Sequence, residues 1–247
     1  MGQVPENNET RPYLIVGNGR LAHHFRYYFD SLNIPYYRWW RGFPQPFQTF
    51  LDRTEKILVL INDGSIEDFI RADNRFDTTD KTWIHCSGML STPLAESAHP
   101  LASFPEELFK PDIYSRIPFV TEEGRLSFDT LFPELPNPHY TIPANLKPLY
   151  HAWCVMSGNF TTLLWEQFFT VLQDRMKLPS TISHFYLDQI ADNLKHSKSP
   201  LTGPLARNDR TTIEKHLQVL EGDPFYGVYC AFLQAYREMR QPERRPA

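Results

Sequence analysis

Residues 13–25 read YLIVGNGRLAHHF, and no other stretch restricts the fold of this chain as much. Four apolar residues, Tyr13 to Val16, form a short run of the buried-strand type. Gly17, Asn18 and Gly19 follow, and then Arg20–Leu32, where Leu21, Phe25, Tyr28, Phe29 and Leu32 fall near helical spacing. Gly17-x-Gly19-x-x-Ala22 fits the pattern G-x-G-x-x-G/A. In that pattern the first glycine permits a tight turn, the second lets backbone approach a pyrophosphate, and the small third residue allows close helix–sheet contact. The helix N-terminus then presents free N–H groups and the positive end of its dipole to phosphates. The spacing predicts a dinucleotide cradle of Gly17, Asn18, Gly19, Arg20 and Leu21, joined by Asn62 and Asp63 after a later strand. The plainer alternative is a strand–helix turn without a ligand.

The rest of the N-terminal half alternates strands and helices. "IPYYRWWR" (34–41), "KILVLIND" (56–63), "TWIHCSG" (82–88) and "IPFVTEEG" (117–124) read as strands, with short helices at 47–54 and from Ile66 to Arg71. Such alternation predicts a parallel sheet with right-handed crossovers. Many of the 21 prolines fall between Pro93 and Pro148, which predicts loops and short strands there. The pattern changes at Leu149. Residues 149–176 contain no proline and are apolar all round, which predicts one long buried helix. A further helix opens at Pro179 and Ser180, residues 199–209 read as an extended loop, and a last helix covers 225–239. Thr211 and Glu214 suggest a capping box for the helix between. The expected organisation is therefore a disordered tail at 1–10, an α/β domain at 11–148, an all-helical domain at 149–240 and a charged tail at 241–247.

Composition narrows the function. The 247 residues suffice for one large domain or two ordinary ones. A net charge of −4 offers no basic footprint, so nucleic acid is not an expected partner. No apolar run approaches the ~20 residues of a membrane span, and no membrane association is expected. The opening MGQVPENNET is too polar for a secretory signal. Cys86, Cys154 and Cys230 are scattered, which fits a reducing cytoplasm rather than a disulfide or zinc framework. No metal site is expected: His23 and His24 are adjacent, and no HExxH occurs.

The end of the second strand should read the ribose. An acid there would take the 2′-OH of NAD, but none occurs between Leu32 and Leu51. Arg38 and Arg41 occur instead, and a guanidinium suits bidentate contact with a 2′-phosphate. The expected cofactor is NADP, with Arg41 on the 2′-phosphate and Trp40 against the adenine; the alternative is a pair of surface arginines.

"LTGPLARNDRTTIEKHLQVL" (201–220) resembles the TGPxARGD-x-x-T-x-x-x-H-L segment of a family of Rossmann-like oxidoreductases whose C-terminal part is a domain of unknown function. "HCSGML" (85–90) resembles that family's H-x-SG turn, "HPLASF" (99–104) its HP-x-x-x-F segment, and "YHAWCVMSGNF" (150–160) the opening of its long helix, with Asn159 and Asn193 at asparagine positions. The resemblance covers residues 12 to 235. It implies a Rossmann-type NADP-binding domain and a helical domain like the C-terminal part of 6-phosphogluconate dehydrogenase. It also implies kinship with ketopantoate, pyrroline-carboxylate and deazaflavin-linked NADP reductases, and a homodimer paired through the helical domain. Asn208 stands where the family has glycine, and asparagine tolerates the left-handed backbone such a turn needs. The turn before Asn159 holds Trp153, Cys154, Val155 and Met156, so the lysine proton donor of β-hydroxyacid dehydrogenases is missing.

Hydride transfer needs orientation and a proton donor or acceptor. His85 and Ser87 fall at the carboxyl end of the fourth strand, where ligands of open α/β sheets bind. His85 is a candidate acid/base, or else a buried histidine satisfied by backbone. His99 is a second candidate, or a structural histidine before proline. His151 and Asn159 lie two turns apart on the long helix and face either the cleft or the core. Arg207 and Asp209, with Thr202, could hold an anionic group or merely lock their loop. Thr211 and Glu214 as the cap would leave Asp209 free. The expected function is an NADP-dependent oxidoreductase acting on a small carbonyl, imine or hydroxy compound. The alternative is an NADP-binding sensor that keeps the fold without turnover.

Overall fold

A computed structural model describes residues 11–72 and 80–240; the tails expected at 1–10 and 241–247 lie outside the described residues. The chain divides into two compact units between Trp165 and Glu166, and each is described by itself.

The first unit is built on a seven-stranded sheet. In chain order its elements are β1 (Tyr13–Val16), α1 (Arg20–Ser31), β2 (Tyr36–Trp39), α2 (Gln48–Leu51), β3 (Lys56–Val59), α3 (Ile66–Ala72), β4 (Thr82–His85) and β5 (Glu96–Pro100). They continue with α4 (Pro111–Tyr114), β6 (Phe119–Glu122), α5 (Phe128–Leu131), β7 (His139–Ile142) and α6 (Lys147–Cys154). The strand order is β2-β1-β3-β4-β5-β6-β7. Every neighbouring pair is parallel except β5–β6, where Ala98 faces Thr121 and Pro100 faces Phe119. The sheet is thus mostly parallel, with one reversal after the fifth strand.

Alternation along the strands divides the core into two layers. Tyr13, Ile15 and Leu58 pack with Phe25 and Phe29 of α1 and with Phe119, Phe128 and Phe132. Leu14, Val16, Ile57 and Val59 face the other way, onto Phe47, Phe50, Ile66 and Trp83. A strand covered on both faces needs a continuous apolar run, and that explains why "YLIV" and "KILV" show no polar alternation. Asn137 ties α1 to the chain at the end of α4, within the first of these layers. It accepts from the Tyr28 hydroxyl at 2.7 Å and donates to the carbonyls of Tyr114 at 2.7 Å and Ile117 at 2.8 Å.

The long helical run extends from Lys147 to Arg175, with π-helical turns at Val155–Phe160 and Val171–Arg175 on either side of α7 (Thr161–Thr170). The division between the units falls inside α7. The second unit continues with α8 (His184–His196), α9 (Gly203–Arg207), α10 (Arg210–Val219) and α11 (Tyr226–Met239). Residues 203–207 are helical, not extended as the sequence suggested. Asn208 ends α9 in the left-handed conformation, with φ 55°, as its place in the motif required. The cap of α10 is Asp209 rather than Thr211 with Glu214. Asp209 accepts from the Thr212 amide at 3.1 Å and the Thr212 hydroxyl at 2.8 Å. Its carboxylate is held below the usual range chiefly by those hydrogen bonds. The argument that left Asp209 free is therefore corrected: the short polar side chain needed at this helix start is Asp209 itself.

Candidate functional site

In the first unit, the chain leaves β1 toward β2 on one side and returns to β3 on the other. Open α/β sheets bind ligands at such a switch point, beyond the carboxyl ends of the strands. A cleft of about 530 Å³ lies there, walled by residues Gly17 to Leu21 after β1, Val59 to Asp63 after β3, and Cys86 and Ser87 after β4, with Phe104 beside them. Seven of the residues expected at a cofactor, Gly17, Asn18, Gly19, Arg20, Leu21, Asn62 and Asp63, line it.

The two glycines do different work. Gly17 has φ +125°, and a Cβ there would stand 2.2 Å from the Leu60 carbonyl oxygen. Backbone hydrogen bonds hold this approach on both sides: Gly17 N–H to Trp39 at 2.8 Å and Leu60 N–H to Val16 at 2.7 Å. Gly19 is extended, stands at the start of α1, and would meet nothing within 4 Å if it carried a Cβ. The first turn of α1 has neither a side-chain cap nor an acidic residue. Its amides and the helix dipole therefore face a space shaped for an anion. This cradle fits the pyrophosphate of a dinucleotide.

Basic side chains gather beside it. Arg26 donates to Asn18 Oδ1 at 3.0 Å, and burial and the charge of Arg38 lower its pKa. The Arg38 guanidinium stands 5.6 Å from the Trp40 ring centroid. Arg41 follows β2 and is exposed, outside the residues that line the cleft.

The wall after β4 is more committed than its sequence suggested. The Ser87 hydroxyl donates to Asp63 Oδ2 and accepts from the Leu90 amide at 2.9 Å. His85 is fully buried (0% exposed), and its Nδ1 accepts from the Ser87 amide at 3.2 Å. Burial first, and then the charge of Lys147, push its pKa down to about 4. A neutral imidazole shut away from the cleft does not suit the acid/base role expected of His85. Burial likewise raises the Cys86 thiol, so this cysteine stays protonated.

Behind the wall lies a group that sequence reasoning missed. Lys147 is 2% exposed and donates to Glu122 Oε1 at 2.7 Å, to Ser97 Oγ at 2.6 Å and to the Leu90 carbonyl. Ser91 donates to the other Glu122 oxygen at 2.9 Å. Nothing in "NLKPLY" marks this lysine as buried. A lysine in the first turn before proline ordinarily reads as a solvated helix start.

His151, on α6, meets His99 of β5 with ring centroids 5.8 Å apart, and His99 Nδ1 lies 2.8 Å from the Tyr150 hydroxyl. Asn159 is exposed on the π-helical turn Val155–Phe160. Arg207 and Asp209 belong to the second unit, on α9 and at the start of α10. Among the described residues no three His, Cys, Asp or Glu side chains are grouped to hold a metal ion. No helix there is long and apolar enough to cross a membrane.

Residues 120–241 match the sequence model of a domain of unknown function, DUF2520. No curated protein matches the chain by sequence. Among solved structures the chain is similar to a candidate NADP oxidoreductase from Bacteroides fragilis, with a TM-score of 0.74 and 17% identity over 93% of this chain and 99% of that one. A protein from Thermotoga maritima gives a TM-score of 0.64 and 22% identity over 94% of this chain and all (100%) of that one. A reductive aminase from Aspergillus terreus, solved with NADPH and ethyl levulinate, gives 0.59 and 15% identity over 95% of each chain. At these identities the likeness is one of fold: a Rossmann-type sheet followed by a helical region.

Proposed function

We propose that the cleft after β1, β3 and β4 binds NADPH and that the protein is an NADP-dependent oxidoreductase acting on a small carbonyl, imine or hydroxy compound. The observation that carries this reading is the contrast between Gly17, packed against Leu60, and Gly19, open to the cleft at an uncapped helix start. A turn that only joined a strand to a helix would have no use for the second feature. The amides of α1 hold the pyrophosphate, Asn62 and Asp63 bound the opposite wall, and Ser87 fixes the Asp63 carboxylate. Arg41 and Arg38 receive the 2′-phosphate at the end of β2. The bound nicotinamide supplies or accepts the hydride. The likeness in fold to the reductive aminase solved with NADPH supports the imine end of the substrate range.

Calorimetric titration tests the cofactor assignment. NADPH should bind more tightly than NADH, and Arg41→Ala should weaken NADPH about tenfold or more, the loss of one charge-assisted contact, while NADH changes little. Equal losses for both dinucleotides would reject Arg41 as the discriminating residue. Consumption of NADPH across a panel of cyclic imines, keto acids and aldehydes tests the reaction class.

We further propose that the protein works as a homodimer. In the second unit only Leu172 and Leu233 among the apolar side chains described are buried, while Ile182, Phe185, Leu194, Val219 and Phe232 are exposed. Helices that leave this much apolar surface in water have not closed a core. A second copy of the same unit would offer the same surfaces in return. Light scattering should give twice the chain mass at micromolar concentration, and a stable monomer would contradict the proposal.

A further inference from the structure

We propose that Asp63 holds the ribose on the nicotinamide side of the dinucleotide, its free carboxylate oxygen accepting from the ribose hydroxyls, and that Ser87 is its positioning residue. The proposal rests on the cofactor reading above. Both residues line the cleft. Asp63 opens a 3₁₀ turn, Asp63–Ser65, that leads from β3 into α3, and Ser87 follows β4. Among the described residues that line the cleft, Asp63 is the only carboxylate and Arg20 the only cation. Asp63 forms no ion pair with any described residue.

The direction of this carboxylate is set by its neighbour. The Leu90 amide at 2.9 Å and the Met89 amide at 3.3 Å both donate to Ser87 Oγ, which leaves the hydroxyl proton to point at Asp63 Oδ2. Asp63 Oδ1 has no hydrogen-bond partner among the described residues. The dipole at a helix start favours an acid here but leaves its direction open; Ser87 supplies the direction. One oxygen is thus bound by the wall, and the other remains an acceptor for a donor that enters the cleft.

The chemistry of a dinucleotide decides what that donor is. Its phosphates are anions, and a fixed carboxylate repels them. Its donors are the ribose hydroxyls, the adenine amino group and the carboxamide. The strand order β2-β1-β3-β4 sorts these groups along the cleft. With the 2′-phosphate and adenine at β2 and the pyrophosphate at the start of α1, the remaining half, the nicotinamide riboside, falls to the ends of β3 and β4. Asp63 and Ser87 stand there. A ribose offers two neighbouring hydroxyls, and a carboxylate binds ribose hydroxyls through charge-assisted hydrogen bonds. The two charges of the cleft follow the same order: Arg20 opens α1, beside the phosphates, and Asp63 lies beyond them, at the hydroxyls.

Calorimetric titration with three probes tests this. NADPH carries both riboses and the nicotinamide, 2′-phospho-ADP-ribose lacks only the nicotinamide, and adenosine 2′,5′-bisphosphate lacks that whole half. Asp63→Ala should weaken the first two alike, by about tenfold or more, the loss of a charge-assisted hydrogen bond, and leave the third unchanged. Asp63→Asn keeps the shape and the Ser87 partner but removes the charge, so it should show the same pattern with a smaller loss. Ser87→Ala should also weaken the first two and spare the third, because the carboxylate remains but is no longer aimed. A loss for NADPH alone would put Asp63 on the carboxamide. Equal losses for all three would make it a support of the whole cleft, and tighter binding would set it against a phosphate. Each of these results, like unchanged NADPH affinity in Asp63→Ala, overturns the proposal and leaves the cofactor reading standing. A wild-type protein that binds no NADPH overturns both.

Discussion

Gly17→Ala is expected to destabilise the protein by on the order of 3 kcal/mol or more, whereas Gly19→Val leaves it folded and unable to bind NADPH. The two glycines are two positions apart, so the contrast tests geometry rather than neighbourhood. At Gly17 two costs add. A φ of +125° lies where L-residues are rarely found, and the added methyl would stand 2.2 Å from the Leu60 oxygen and 2.9 Å from its carbon. Backbone strain and overpacking each cost about 1–3 kcal/mol. The blocking atom is backbone on the neighbouring strand β3, so no rotamer change relieves it. At Gly19 the new side chain enters open space and costs only the poorer cap, about 1 kcal/mol. That open space is where backbone must come close to the pyrophosphate. Thermal melting and NADPH titration on both variants separate the effects. A normal melt for Gly17→Ala would show that β1 and β3 do not approach as described. Normal NADPH binding by Gly19→Val would reduce the motif to a structural turn.

The elements that the sequence disclosed are those whose pattern has one physical cause. β1 and β3 sit at the centre of a parallel sheet, so both faces are covered and the apolar run is unbroken. α1 shows its stripe because Phe25, Tyr28 and Phe29 all face the sheet. β5 escaped notice because "ESAHP" has no apolar run. Its place comes from pairing with β4 and β6, and its residues are chosen for what they touch: Ser97 for Lys147, His99 for Tyr150. β7 escaped because "HYTI" is an exposed edge held by β6 alone. The cap of α10 was misassigned by two residues because Asp209, Thr211 and Thr212 are all competent caps. Which one caps depends on where Asn208 turns left-handed.

The proposed cofactor half of the site was legible for the same reason. A pyrophosphate cradle is local, and Gly17 to Leu21 contain nearly all of it. The wall after β4 was not. His85 carries the right residue type at the right strand end. Yet its ring turns inward to Ser87, and the sequence cannot say which way a residue at a strand's last position turns. His99 and Tyr150 are 51 residues apart and meet only because β5 lies beside the turn that ends β4.

Lys147→Met is expected to cost about 3–5 kcal/mol, the range for breaking a buried ion pair from one side. Lys147 and Glu122 are 2% and 6% exposed, and their charged atoms are 2.7 Å apart. Burial still outweighs the pairing at the lysine, whose pKa is lowered despite its carboxylate partner. The pair is therefore no net source of stability. Its worth lies in what each member does for the other, and removing Lys147 strands Glu122 without a counter-charge. Ser91 offers that carboxylate one hydrogen bond, which does not replace a cation. The double substitution Lys147→Met with Glu122→Leu should then recover more than half of the loss, because no charge remains buried. Urea denaturation of the wild type and the three variants closes the cycle. A single substitution costing under about 1 kcal/mol, or a double as unstable as the sum of the singles, would contradict a buried, mutually dependent pair. The same lysine holds the Leu90 carbonyl, three residues beyond the Ser87 wall. Lys147→Met should therefore also weaken NADPH binding in the protein that stays folded, while Arg41→Ala, far from this group, leaves the melting point unchanged.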